Sequence, residues 1–227
     1  VRLEKNERGG IYTREDIEAF REHLKNEEKD EAIRMIVQLI QKKTPLRVIY
    51  EEWIIPAIIN WECPFEAEAC CIWREHILSA TLKTGIELCY PLVMEEYEKR
   101  GSKGKSVFVF CPWEELHELG AKIIADLLHA YGFEVVYTGT NTPEKALNEA
   151  LKKRMPDYLA ISVTNPYHLF QVQDLVKRVR LLAPKLRILV GGQAIRRNTP
   201  SCDAIGADFY IYTMDDFNRF LEKEGVI

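Results

Sequence analysis

Five short β-rich runs, set apart by segments of helical character, govern what the second half of this chain can fold into. They read "SVFVFC" at 106–111, "EVVYTG" at 134–139, "DYLAISV" at 157–163, "RILVGG" at 187–192 and "DFYIYT" at 208–213. Helical patterns separate most of them, over roughly 114–131, 143–153 and 168–182. Alternating strands and helices predict a parallel sheet with helices on both faces. Five strands in that arrangement fit a flavodoxin-like (Rossmann-like) doubly wound domain, strand order 2-1-3-4-5, over residues 105–227. Ligands of such sheets bind beyond the carboxyl ends of the strands, beside the switch in strand order.

The first half has a different grammar. Residues 11–100 carry helical signals only. Thr13 with an acid three residues on, Asp16, reads as a capping box, and Ile17, Phe20 and Leu24 follow at helical spacing. Further apolar-periodic segments run roughly over 30–43, 45–61, 66–82 and 84–99, with breaks at Thr44–Pro45 and Cys63–Pro64. Short helices joined by short turns predict a helical bundle domain over 11–100. "RGSKGK" at 100–105 reads as the linker. The expected fold class is therefore α/β: a helical bundle followed by a five-stranded parallel sheet.

Bulk properties exclude several classes. The 227 residues include 47% hydrophobic and 29% charged, ordinary for a globular protein, and the formal net charge is -4. That charge argues against general affinity for nucleic-acid phosphates. No uninterrupted apolar run reaches the roughly 18–20 residues of a membrane crossing, and the polar start "VRLEKNERGG" is no secretion signal. A cytoplasmic location is expected. The six cysteines, Cys63, Cys70, Cys71, Cys89, Cys111 and Cys202, are then expected as reduced, mostly buried thiols. Cys63, Cys70, Cys71 and His76 are near one another in sequence, but at spacings that match no zinc finger or ribbon.

The candidate site lies at the predicted strand ends. His117 follows the first strand, Ser162 and Thr164 close the third, and Gly191–Gly192 close the fourth. Taken singly each has an ordinary reading: a surface histidine, strand-end hydroxyls, a turn. Glu114 and Glu115 near a helix start are favoured electrostatically without any function. Together they form a pattern. Glu115-x-His117-x-x-Gly120 is followed after 41 residues by Ser162-x-Thr164, and after 26 more by Gly191–Gly192.

That pattern resembles the motif of cobalamin-binding domains, Asp-x-His-x-x-Gly, then Ser-x-Leu or Ser-x-Thr, then Gly-Gly. The resemblance implies that His117 ligates cobalt from the lower face in place of the cofactor's own dimethylbenzimidazole. A neutral imidazole nitrogen suits such a metal, and Glu115 would orient it. Gly120 would let the displaced nucleotide tail pass close to the helix. Ser162 and Thr164 would hydrogen-bond the buried base, and Gly191 and Gly192 would leave room for the tail.

Glutamate at 115, where aspartate is commoner, resembles the light-sensing MerR-type repressors, as do "ELHELGAK", "VVYTGTNTPEKAL" and "VGGQ". The helical half is similar to their cap domain. The resemblance implies that Glu75 and His76 in "WREH" face the upper side of the cobalt, with His76 as a second metal ligand after photolysis. Phe65 stands where that family has a tryptophan, and Trp61 one turn earlier is a candidate for its role. Phe65, Trp61 and Ile72 would lie against the upper ligand, or equally form bundle core.

The expected function is a sensory protein holding adenosyl- or methylcobalamin as a light-responsive switch, a binding protein more than an enzyme. It would signal as a homo-oligomer or through a protein partner. The helix-turn-helix of those repressors has no counterpart in these residues, so direct DNA binding is not expected. The alternative, on the same two-domain architecture, is a corrinoid methyl carrier serving a methyltransferase. Cobalamin storage or delivery is a third class.

Overall fold

The computed structural model describes residues 12–62, 68–197 and 203–227. The chain divides into two compact units, Val1–Glu95 and Glu96–Ile227.

The first unit is helical. Helix α1 (Arg14–Lys25) starts at the expected capping box: Asp16 N–H donates to Thr13 Oγ1 at 3.2 Å, and Thr13 N–H to the Asp16 carboxylate at 2.7 Å. Helix α2 (Lys29–Gln41) follows, then three contiguous helical segments, α3 (Leu46–Val48), a π-helical stretch (Ile49–Ile54) and α4 (Ile55–Ile59). Pro56, which has no N–H to donate, sits just beyond the π-helical stretch. Trp53 anchors this core, taking edge-on contacts from Tyr12 and Phe20 at 5.4 and 5.5 Å between ring centroids.

Helix α5 (Glu68–Leu88) turns into α6 (Tyr90–Arg100) at Cys89, six residues later than the expected break at 83. Lys83 carries no breaking signal in itself, whereas Pro91 lacks the N–H needed to continue α5. The stretch Cys71–Arg100 has the length and hydropathy of a membrane crossing. Its Leu78, Leu82 and Ile86, spaced four apart, are buried as a core-facing stripe. Cys71 is disulfide-bonded, unlike the reduced thiols expected, while Cys89 and Cys111 are free and buried.

The second unit is the α/β fold expected. Strands β1 (Ser106–Phe110), β2 (Glu134–Tyr137), β3 (Tyr158–Ser162), β4 (Arg187–Gly191) and β5 (Phe209–Ile211) form one all-parallel sheet in the order β2-β1-β3-β4-β5. The connecting helices are α7 (Leu119–Ala130), α8 (Glu144–Lys153), α9 (Leu169–Leu182) and α10 (Gln193–Arg197), and α11 (Met214–Lys223) closes the unit.

Strand alternation sorts the side chains onto two faces. Phe108, Phe110, Leu159, Ile161 and Val163 share one core with Leu147 and Leu151 of α8 and Val172, Leu175, Val176 and Val179 of α9. The opposite face carries Tyr158, whose ring meets Phe133 and Phe220 of α11 edge-on. Ala160 and Ser162 follow Tyr158 on that face. The order reverses between β1 and β3, so the loops after those two strands diverge at the switch point.

Candidate functional site

The loop after β1 is fastened before it reaches His117. Pro112 bridges to Thr142 in the loop after β2, Cys111 N–H donates to the Gly139 carbonyl at 3.0 Å, and Thr142 N–H returns to Cys111 at 3.0 Å. Glu114 and Asn141, both non-glycine residues at positive φ (66° and 54°), face each other across the two loops. Glu114 N–H donates to Asn141 Oδ1 at 3.0 Å, and Asn141 N–H to the Glu115 carbonyl at 3.0 Å. Left-handed backbone costs a non-glycine residue about 1 kcal/mol, and these bonds offset it.

Glu115 sits at the centre, fully buried. Its two carboxylate oxygens have separate work. Oε1 accepts from His117 Nδ1 at 2.6 Å and from His117 N–H at 3.1 Å. Oε2 accepts from the backbone N–H of Thr164 at 2.8 Å and of Asn165 at 2.9 Å, with His168 Nδ1 at 3.3 Å. One side chain thus ties the loop after β1 to the loop after β3, across the switch point. Burial pushes the Glu115 carboxyl up, but the hydrogen bonds from the His117 ring and from the Asn165, Thr164 and His117 amides outweigh it and hold it down to about 2. Glu115 is therefore ionised near neutral pH and can only accept. His117 Nδ1 must carry the proton in that bond, so the neutral imidazole has its lone pair on Nε2.

The His117 side chain is 53% exposed while its partner Glu115 is 0% exposed. An imidazole oriented in this way stands out of the strand edge with a metal-competent nitrogen, and could serve as a single protein ligand to a metal. Cys111 beneath it is buried, which with the nearby Glu115 and Glu118 carboxylates pushes its thiol up to about 12. It stays neutral, donating weakly to the His117 carbonyl (3.7 Å) and paired with the Ser162 hydroxyl. Ser162 lies in register with Gly191 of β4.

The remaining motif residues differ in what surrounds them. A Cβ on Gly120 would meet nothing within 4 Å, so the start of α7 borders open space, as a passing nucleotide tail needs. At the glycine pair the space is taken by the protein itself. A Cβ on Gly192 (φ +108°) would lie 2.2 Å from the Val163 carbonyl oxygen, and one on Gly191 3.1 Å from that of Ile211. Thr164 contributes its backbone N–H to Glu115. A cavity of about 340 Å³ beneath the loop after β2, floored by Phe108 and Phe110 and bordered by Thr138, Thr140 and Thr142, belongs to the α8 face, away from Ser162.

In the helical unit, Ile72, Glu75 and His76 are exposed on α5, and Trp61 is half-buried just past α4. Ile72 is thus not bundle core. Phe65 lies outside the described residues. Among the described residues no group of three or more His, Cys, Asp or Glu side chains could hold a bare metal ion. A corrin supplies its own four nitrogens, so such a group would ask no more than one ligand of the protein.

Two residues of the cluster escape motif reading: Asn165 and His168. The signal for them is the Asn165–Pro166 turn directly after β3, with His168 starting α9 on the strand edge that carries His117.

Fold and site together define a cobalamin-binding domain of the flavodoxin-like type. Residues 105–216 match the B12 binding domain model. The chain is 30% identical over 153 residues to trimethylamine corrinoid protein 2 of Methanosarcina mazei, covering 64% of this chain and 67% of that one. It belongs to the B12-binding domain family. It is 31% identical over 147 residues to trimethylamine corrinoid protein 1 of Methanosarcina acetivorans, covering 61% of this chain and 65% of that protein's length. The HTH-type transcriptional repressor CarA of Myxococcus xanthus aligns at 27% over 136 residues, 60% of this chain and 46% of that one. Among solved structures, the monomethylamine corrinoid protein of Methanosarcina barkeri superposes with a TM-score of 0.78 at 17% identity, covering 93% of this chain and 99% of that one.

Proposed function

We propose that this chain is a corrinoid methyl carrier: it holds cobalamin, accepts a methyl group under one methyltransferase and presents it to another. This departs from the light-sensor expectation in favour of its alternative. The observation that carries it is the alignment with the trimethylamine corrinoid proteins. Its identity, 30% over 153 residues, exceeds the 27% over 136 residues of the CarA alignment. A small methylated amine is accordingly the first substrate class to test.

Bound cobalamin supplies a cobalt–carbon bond at which a methyl group is taken up and released. The residues of the chain set the conditions. His117 would hold the cobalt through Nε2, Glu115 would fix the tautomer and aim of that imidazole, and the two loop fastenings would keep both in place before the cofactor arrives. Gly120 leaves the tail its path, and Ser162 lies on the same face of the sheet. In the helical unit, Glu75 and His76 form an exposed polar pair on α5.

The test is to load the chain with cobalamin, reduce it, and supply isotopically labelled trimethylamine with an extract containing methylamine methyltransferases. Label should appear on the corrinoid held by wild type and be lost with His117→Ala, whose cobalt spectrum should also change. The alignment with CarA supports a second reading, the light sensor. Adenosylcobalamin-loaded protein that changes its assembly on illumination, and that takes up no labelled methyl, would favour the sensor over the carrier.

A further inference from the structure

We infer that the cavity beneath the loop after β2 is a second ligand site, for a small uncharged molecule with an apolar body and one or two hydrogen-bonding groups. It stands apart from the motif residues of the sheet. Ser162 follows Tyr158 and Ala160 on one face, whereas the cavity lies between the other face and α8.

The cavity follows from the local sequence. Phe108 and Phe110 of β1 share the α8 face, and α8 lies over them with Ala146 and Ala150, one helical turn apart. Leu147 and Leu151, on the neighbouring stripe of the helix, fill the core beside them, but alanine is too short to close the gap. About 340 Å³ remains, at the low end of the roughly 300–1,000 Å³ of small-molecule sites. The loop after β2 borders it with three threonines at alternate positions, Thr138, Thr140 and Thr142. The Thr138 and Thr142 hydroxyls pair at 3.1 Å, so one O–H of the two is used and the other can donate to a ligand. Among the described residues the half-buried Thr140 hydroxyl has no protein partner. Among them, too, no charged side chain lines the cavity, so an ion entering it would go uncompensated.

The bordering loop is also the segment that holds the loop after β1. Asn141 N–H donates to the Glu115 carbonyl and Asn141 Oδ1 accepts from Glu114 N–H, both at 3.0 Å. Thr142 N–H donates to the Cys111 carbonyl at 3.0 Å. A ligand that favours this arrangement of the loop favours the aimed His117 as well, and by linkage cobalamin then favours the ligand. That link, unlike the site itself, rests on His117 being the cobalt ligand.

Benzyl alcohol and cyclohexanol are the probes, each with one hydroxyl on an apolar ring; benzoate and cyclohexylamine are their charged counterparts. In the apoprotein, NMR should show saturable shifts at Thr140, Ala146 and Ala150 with a neutral probe and none with the charged ones. Ala146→Leu fills the gap from an exposed helix position where leucine is nearly as favourable as alanine, and should abolish the shifts. Ala150→Leu is a second variant of the same kind. Saturating neutral probe should raise the cobalamin affinity of wild type about fivefold, the low end of coupling between linked sites, and leave that of Ala146→Leu unchanged. The site is overturned if neither neutral probe gives saturable shifts at these residues, if benzoate binds equally well, or if the shifts persist in both leucine variants. Displacement of the probe by cobalamin would make the cavity part of the cofactor site and overturn its separateness. An unchanged cobalamin affinity would overturn the link. Failure of wild type to bind cobalamin at all would instead count against the carrier reading, while probe binding to the apoprotein still decides the site.

Discussion

Gly192 lies against Val163 so closely that a Cβ on the glycine would stand 2.2 Å from the valine carbonyl oxygen. That oxygen also accepts the N–H of Ala194 at 3.2 Å, so it cannot retreat without loss. With φ at +108°, Gly192 is unsuited to any side chain on two counts. Gly192→Ala should destabilise the fold by about 3 kcal/mol or more. Urea unfolding of the apoprotein measures it. Stability within 1 kcal/mol of wild type would mean that the β4–α10 turn can shift.

Gly120 should behave oppositely. Alanine there meets open space within the first turn of α7, and exchanging glycine for alanine in a helix stabilises by about 0.5–1 kcal/mol. Gly120→Ala should leave the apoprotein as stable or slightly more so, while lowering cobalamin affinity through collision with the tail. Equal affinity in variant and wild type would remove Gly120 from the cofactor path.

Glu115→Gln should weaken cobalamin binding by about 10–100-fold, the usual effect of losing the partner that orients a metal-bound histidine. The amide keeps a carbonyl for one of the two groups of donors but sets an NH₂ against the other. Glu115→Ala should in addition destabilise the apoprotein by about 2–3 kcal/mol, because the Thr164 and Asn165 amides lose their acceptor. Cobalamin titration and thermal unfolding of both variants separate the two effects.

Glu224 supplies an acid-stability prediction distant from the site. Its carboxylate accepts from Tyr158, from Arg187 at 2.7 Å and from Lys105 at 3.1 Å. Burial raises its carboxyl, but these bonds hold it below the usual carboxylate range. A depressed folded-state value contributes stability that is fully present above the ordinary carboxylate pKa and is lost as pH falls through the folded one. Glu224→Gln should therefore cost about 1–3 kcal/mol at neutral pH. The gap to wild type should narrow as the medium is acidified below the ordinary carboxylate range. A gap independent of pH would show that the charge contributes nothing.

The sheet was readable from alternation because each strand declares itself within five or six residues. The pairing of Glu115 with His117 was readable for the same reason, two residues apart on one loop. What joins Glu115 to Thr164, Asn165 and His168 spans 49 to 53 positions. No local period reports such a contact. It exists because β1 and β3 are neighbours and their loops leave the sheet side by side. The glycine pair was assigned to the cofactor by motif, while Val163 and Ile211, which crowd it, are apparent only in the packed chain. The α5–α6 break was misplaced because apolar spacing continues past 83, whereas Pro91 alone stops it.

The fastening of the loop after β1 to the loop after β2, through Pro112, Thr142 and the left-handed pair Glu114 and Asn141, bears on the order of events in assembly. A loop that holds its own shape has little ordering entropy left to lose when a ligand arrives. The folded chain can hold its imidazole already aimed before a cofactor arrives. Capture then becomes a question of encounter, and the empty protein is a receptor in its own right.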